Sequence, residues 1–342
     1  MRIIDSHFHF WPRSVFEALC KRTDFPRASV NDRGGYACLL GLGGDYVLNS
    51  WTEWYGLADQ FAHMDALGKD FGHEVSVVSS IGPFSVFFSS LPAEEGRDLA
   101  LMWNEEMAAA QAKYPGRFWG SAAIPLQDTK IAMDVLEDAV GRLGLLGVNI
   151  PGSIGADARI DAERLEPFYA RLSQLQLPAF LHPTDAIFNT MLDGYNGALF
   201  LSLGRVMEVS VAASRLILSG MMERHEGLKF VLSHTGGALP YQSGRMDKNT
   251  KAAKLPKPVS TYMKRMYTDT VSPHSAGMKF AIEYYGIDNV MYGTDYPCWE
   301  PETCLKLLGE LDLSGADKQK LFHDNAVRIL GLRAPALSQA AE

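Results

Sequence analysis

Five residues carry the chemistry this sequence suggests: His7, His9, His182, His234 and Asp295. His7 and His9 stand in DSHFH with one residue between them. Residues i and i+2 of an extended segment point to the same side, so both imidazoles can reach one ion. His182 (FLHP), His234 (VLSHTGG) and Asp295 (YGTDYP) each follow a short apolar run much further along the chain. Three imidazoles and a carboxylate suit a borderline divalent cation, with one coordination position left open for water or substrate. The remaining histidine is then free to act as acid or base. His63, His225 and His323 fall in helical stretches and read as structural or solvated, whereas His274, in SPHSAG, stands at the same rim as the five and stays a candidate neighbour of the site. Trp51, Trp54, Phe84 and Trp299 are candidates for pocket lining, with core or lid packing as the equal alternative.

Groups so far apart need a frame that brings strand ends together. Eight short apolar runs read as buried strands: 2–6, 74–80, 117–124, 147–150, 178–181, 229–232, 266–271 and 289–293. Amphipathic helical patterns separate them at 98–113, 131–142, 165–175, 211–223 and 301–311, and Ser314 with Asp317 forms an N-cap signal for a last helix. Strand–helix alternation implies parallel pairing with right-handed crossovers, and eight such units close into a (β/α)8 barrel whose C-terminal rim carries the chemistry. The α/β alternative, an open doubly wound sheet, lacks support because no GxGxxG follows any strand. Residues 12–59, rich in glycine and tryptophan, read as a long insertion after strand 1, and 188–205 as a second rim loop. One domain over 1–333 with a tail at 334–342 is the expected organisation.

Composition narrows the partners. The 342 residues are 47% hydrophobic and 21% charged, enough to build a core, and 32 basic against 40 acidic residues leave a formal charge of −8. An acidic chain with no polybasic run disfavours nucleic acid and anionic membranes, so a small anionic substrate has to be held by a metal or a few placed arginines. Cys20, Cys38, Cys298 and Cys304 form no CxxC pair and read as free thiols of a cytoplasmic protein. No apolar run is long enough to span a membrane, and Asp5 with the early histidines argues against a signal peptide.

The motifs IIDSHFH, FLHP, FVLSHTGGALPYQSGRMD, MYGTDYP and HDNAVRIL, spread over residues 3–330, resemble the amidohydrolase-2 branch of the amidohydrolase superfamily, and within it the decarboxylases of muconate-type and benzoate-type acids. The resemblance implies that His7, His9, His182 and Asp295 are metal ligands and that His234 is the catalytic histidine. Binuclear superfamily members carry a lysine where this chain has Gly147-Val148-Asn149-Ile150, so one divalent ion per chain is implied, zinc first and manganese second. Arg245 matches an arginine that contacts the substrate carboxylate of a neighbouring subunit, which implies a homodimer or an assembly of dimers. Those decarboxylases also carry an arginine just before a Met-Asp pair, where this chain has Gln60, Phe61, Ala62 and His63. An aromatic acid bulkier than the muconate type, or a ring-cleavage product, is therefore expected, held by Arg245, Trp51, Phe84, His274 and Trp299. The implied activity is non-oxidative decarboxylation in aromatic-compound catabolism. A metal-dependent hydrolase of a C–C, ester or amide bond, or a hydratase, would use the same five groups.

Overall fold

Strands and helices alternate in the computed structural model, an α/β fold in which residues 2–39, 47–154, 159–184, 192 and 194–332 are described. The strands are β1 (Arg2–His9), β2 (Ala28–Val30), β3 (Tyr36–Leu39), β4 (Val47–Asn49), β5 (Glu74–Ser80), β6 (Phe118–Gly120), β7 (Val148–Pro151), β8 (Pro178–His182), β9 (Lys229–Leu232) and β10 (Tyr267–Thr268). Two parallel sheets, ordered β1-β5-β6 and β10-β9-β8-β7, hold the strands that end in the candidate residues. Parallel bridges join them: Ala122 to Val148, Thr268 to Val290, and Phe8 to Tyr296. The pairings thus lead from β1 through β10 to the segment around Val290 and back to β1.

These strands are apolar on both faces because both faces are covered, by helices outside and by one another's side chains within. Ile4, Val78, Trp119, Phe180, Val231 and Met291, one residue from each of six segments, form a common buried cluster. Ala326, Ile329 and Leu330 of the last helix (Asn325–Leu330) close one end of it. The larger core lies between the strands and the outer helices. In β1 the register against β5 shifts between Asp5 and Phe8, the kind of irregularity that re-aims side chains at a strand end.

Several elements differ from the sequence pattern. The eighth run, 289–293, is no regular strand: its amide groups divide among partners, Met291 N–H to Thr268, Gly293 N–H to the Thr270 hydroxyl and Tyr292 N–H to Leu321. The helix expected from 98 starts at Ala93. The one expected over 211–223 is two, Arg205–Leu218 and Met221–Arg224, divided at Gly220 with φ 78°. Ser314 does cap its helix, accepting from the Asp317 amide. Within 12–59 the chain builds a helix (Arg13–Leu19) and the antiparallel sheet β2-β3-β4. Gly41, Gly43, Gly44, Asp193 and the tail 334–342 lie outside the described residues. Among the described residues no helix is long and apolar enough to cross a membrane.

Candidate metal centre

His7, His182, His234 and Asp295 each place a ligand atom within 4.8 Å of the others'. His7, His182 and Asp295 are buried, and the His234 side chain is 10% exposed. His9 stands beside this set, its Nε2 2.8 Å from Asp295 Oδ1 and its ring centroid 5.2 Å from that of His182. β1 delivers His7 and His9, β8 delivers His182, and the turn after β9 delivers His234. Asp295 is tied to β1 by its own amide, which donates to the His7 carbonyl at 2.7 Å. Gly293 permits this approach, since a Cβ there would stand 2.7 Å from His7 Cβ and 3.0 Å from Asp269 Cβ.

Three of the histidines have their outer nitrogen anchored. His9 Nδ1 donates to the Ser80 carbonyl at 3.0 Å, and His182 Nδ1 to the Pro183 carbonyl at 2.9 Å. A carbonyl can only accept, so Nδ1 carries the proton and Nε2 faces inward as a bare lone pair. His7 Nδ1 pairs with Asp269 Oδ2 at 2.6 Å, a charge-assisted version of the same arrangement. His7 Nε2, His182 Nε2 and Asp295 Oδ2 are buried with no hydrogen-bond partner among the described residues. Buried polar atoms rarely stay unpaired, and three nitrogens with a carboxylate are a donor set that fits a divalent ion.

The electrostatics agree. Burial pushes the imidazoles of His9 and His182 down, for His182 well below the ordinary value, so both are neutral as ligation requires. Burial would also lower His7, but the carboxylates of Asp269 and Asp295 outweigh it and hold this ring up to about 10. Burial works to raise Asp295; the charge on His7 and the close approach of the His234, His7 and His9 rings overcome it and keep the carboxylate well below its usual range. The carboxylates of Asp269 and Asp295, both buried, make a strong demand for positive charge.

His234 is held differently. Its Nδ1 has no partner among the described residues, and its Nε2 lies 3.6 Å from Asp295 Oδ2. Its backbone sits at φ 56°, Thr235 follows at 55°, and Asp295 at 63°. Such left-handed positions are costly for residues with a Cβ and persist where surrounding contacts fix them. Here Asp269 supplies the contacts, accepting from the amides of His234 at 3.1 Å, Thr235 at 3.0 Å and Val271 at 3.0 Å. Asp269, the residue directly after β10 in MYTDTV, thus orients one ligand and the His234 turn together. Its sequence signal was an aspartate at a strand end, the same signal that marks Asp295.

A cavity of about 410 Å³ opens beside the cluster, and of the five groups only His234 and Asp295 line it. Trp299, Val206, Val271 and Arg205 are also in its wall. Trp299 lines this cavity, and Phe84, Trp51, His274 and Arg245 are not among its described lining residues. Phe84 is fully packed against Trp11, Phe16 and Phe87, and Trp51 lies under the Arg33 guanidinium at 4.0 Å. His274 caps the helix Ser275–Tyr285 through Nδ1, which accepts from the Gly277 amide. Arg245 is exposed on the helix Leu239–Asn249. Asn149, in the segment Gly147-Val148-Asn149-Ile150 where the resemblance implied no lysine, spends its side chain on Ile81, Ser121 and Ala122. Gln60, near the position of the missing arginine, donates to the His9 carbonyl.

Residues 4–332 match the amidohydrolase family known as Amidohydro_2. The chain belongs to this family. It is 28% identical over 250 residues to gamma-resorcylate decarboxylase of Rhizobium sp. strain MTP-10005, covering 69% of this chain and 76% of that one. It is 26% identical over 267 residues to 2-amino-3-carboxymuconate-6-semialdehyde decarboxylase of Dictyostelium discoideum, covering 76% and 73%. In fold it is similar to dihydroxybenzoic acid decarboxylase from Polaromonas sp. JS666, solved with bound manganese and the inhibitor 2-nitroresorcinol, at a TM-score of 0.76 and 24% identity over 99% of each chain.

Proposed function

We propose that this amidohydrolase is a metal-dependent, non-oxidative decarboxylase of an aromatic acid. The carrying observation is that His234, alone among the clustered histidines, stands in the wall of the cavity while His7, His9 and His182 lie behind it. His7, His9, His182 and Asp295 would hold a divalent ion, which when bound would supply Lewis-acid stabilisation of negative charge as CO2 departs. The anchored Nδ1 groups keep the three inner nitrogens aimed without reorganisation, and Asp269 fixes the angle of the His7 ring. His234 has one ring nitrogen toward Asp295 and no anchor on the other among the described residues, so it is placed to carry a proton to the carbon that loses its carboxylate. The bond to CO2 breaks, its electron pair stays on the ring carbon, and that proton completes the product.

The circular order of pairings and the six-segment inner cluster support one closed (β/α)8 barrel forming a single domain, with residues 12–59 inserted after the first strand. Zinc is the first candidate ion and manganese the second; the manganese in the Polaromonas relative keeps both in the test. Arg245 reaching a neighbouring subunit's substrate remains part of the proposal as a homodimer. Exposed apolar side chains Leu201, Leu203, Met207 and Tyr241 on nearby segments support it. Cys20, Cys38, Cys298 and Cys304, none of them in a disulfide among the described residues, support a cytoplasmic setting. The test is metal-dependent CO2 release from a panel of hydroxybenzoates and related aromatic acids. Release should stop on chelation and return with zinc or manganese; turnover unaffected by chelation would refute the reading.

A further inference from the structure

Trp11 stands two residues past His9, outside every motif, and its side chain is fully buried. Its ring is nearly parallel to that of His9, at an interplanar angle of 13° with centroids 5.5 Å apart. The imidazoles of the cluster meet one another only at 43° to 84°.

The polar contacts of His9 leave one motion open. Nδ1 donates to the Ser80 carbonyl at 3.0 Å, and Nε2 lies 2.8 Å from Asp295 Oδ1. Contacts at the two nitrogens fix where these point, but the ring can still tilt about the line between them. A flat ring stacked on the imidazole limits that tilt. Gly82 contributes to the same end: a Cβ there would stand 2.7 Å from His9 Cε1, 3.0 Å from Nδ1 and 3.1 Å from Nε2. Distances so nearly equal mean an approach over the face of the ring, and the missing side chain lets the backbone close on it.

Trp11 is itself held. Its Nε1 donates to the Ile81 carbonyl at 2.8 Å, so the successive carbonyls of Ser80 and Ile81 hold the two rings side by side. The Ile81 amide donates to Asn149 Oδ1 at 3.0 Å, which ties this segment to β7. Phe84 meets the indole at 82° with centroids 4.7 Å apart, and Trp54 lies at 5.1 Å. Ring contacts continue from Phe84 through Phe16 to Tyr36 and Tyr55. Trp11 is thus where the aromatic packing of the segment after β1 meets the metal cluster, and it is not among the described lining residues of the cavity.

We infer that Trp11 is a positioning residue of the metal centre, whose indole holds the His9 imidazole at the tilt that aims Nε2 at a divalent ion. The inference rests on the metal centre of the proposed function and not on the reaction.

Zinc affinity, read by competition with a chromophoric chelator, separates positioning from packing. Trp11→Leu removes the flat ring and should weaken zinc about tenfold or more, the scale for a lost partner of a ligand histidine. Trp11→Phe restores a flat ring and should recover part of that loss. Trp103 is the control, equally buried but set edge-on against Phe88 and away from the ligands. Trp103→Leu should lower the unfolding temperature of the metal-free protein while zinc affinity stays within about threefold of wild type. The visible spectrum of the cobalt-loaded protein, which reads coordination geometry, should change in Trp11→Leu and not in Trp103→Leu. Zinc affinity within about threefold of wild type in Trp11→Leu overturns the inference. Equal weakening in Trp103→Leu, or no recovery in Trp11→Phe, overturns it as well. If Trp11→Leu does not fold, Trp11→Met, which also lacks a flat ring, decides by the same limits. A wild type that binds no zinc overturns the metal centre and this inference with it. Zinc binding that depends on Trp11, in a protein that releases no CO2 from any acid, upholds the inference and overturns only the reaction.

Discussion

Replacing Asp269 by asparagine should cost metal affinity through a proton on the wrong nitrogen of His7. In the native arrangement Asp269 Oδ1 accepts from the amides of Thr235 and Val271, and Oδ2 takes the His234 amide at 3.1 Å and His7 Nδ1 at 2.6 Å. An asparagine that keeps its oxygen toward Thr235 and Val271 turns its NH2 toward His234 and His7. The His234 amide then meets a donor. His7 can satisfy the NH2 only by accepting at Nδ1, which moves its proton to Nε2, the atom aimed into the cluster. Loss of such an orienting partner typically costs about 10–100-fold in metal affinity, or about 1.4–2.7 kcal/mol. The unsatisfied His234 amide adds about 1–3 kcal/mol of lost stability. Competition for zinc against a chromophoric chelator reads the first effect, and thermal unfolding of the metal-free proteins reads the second. Zinc affinity within about threefold of wild type, in a variant with native circular dichroism, would refute the role assigned to Asp269.

His234→Ala should keep its metal within about threefold while kcat falls about 10²–10⁴-fold, the range for a positioned acid or base; His9→Ala should lose the metal. Metal analysis showing the reverse would exchange the two roles, since His234 is itself within reach of the cluster. Arg245→Ala should raise KM about tenfold for a carboxylate substrate, with sedimentation reporting a dimer; a monomer with unchanged KM would remove the cross-subunit contact. Glu166 is held down to about 2 by hydrogen bonding from Arg224, burial opposing, with His225 adding to it. A depressed carboxylate stabilises the fold above its unfolded value, and the gain is lost as pH falls through the folded one. Wild type should therefore exceed Glu166→Gln in stability by about 1 kcal/mol at neutral pH, a figure reduced for partial exposure. The gap should close between about pH 4.5 and 2, and a gap constant in chemical denaturation down to pH 2 would contradict the pairing.

The clustering of His7, His182, His234 and Asp295 was legible because each stands at the end of an apolar run, and parallel strands carry their C-terminal ends to one side. Asp269 has the same position but was hidden by its surroundings, since Thr-Asp-Thr reads equally well as strand. Arg205, in the wall of the cavity, escaped because it falls where a loop pattern meets a helix, and a single buried position there leaves no periodic trace. Trp51 and Phe84 show the converse. Aromatic residues near a rim look like pocket lining, yet Phe84 fills the seam between Trp11 and Phe16, a choice made by packing between distant segments. The run at 289–293 has strand composition, but its amides are divided among a strand neighbour, a hydroxyl and a helical carbonyl. Which partner an amide takes is decided by tertiary contact and not by local sequence.

The reaction itself is tested most directly by where isotopes end up in the product of the substrate that turns over fastest. A decarboxylase in D2O releases one CO2 per turnover and leaves deuterium on the carbon that bore the carboxylate. Metal-loaded wild type should do both, and His234→Ala should slow the two together. In H2(18)O, no label should enter a new carboxylate. Labelled carboxylate without CO2 would contradict decarboxylation and assign the same five residues to hydrolysis.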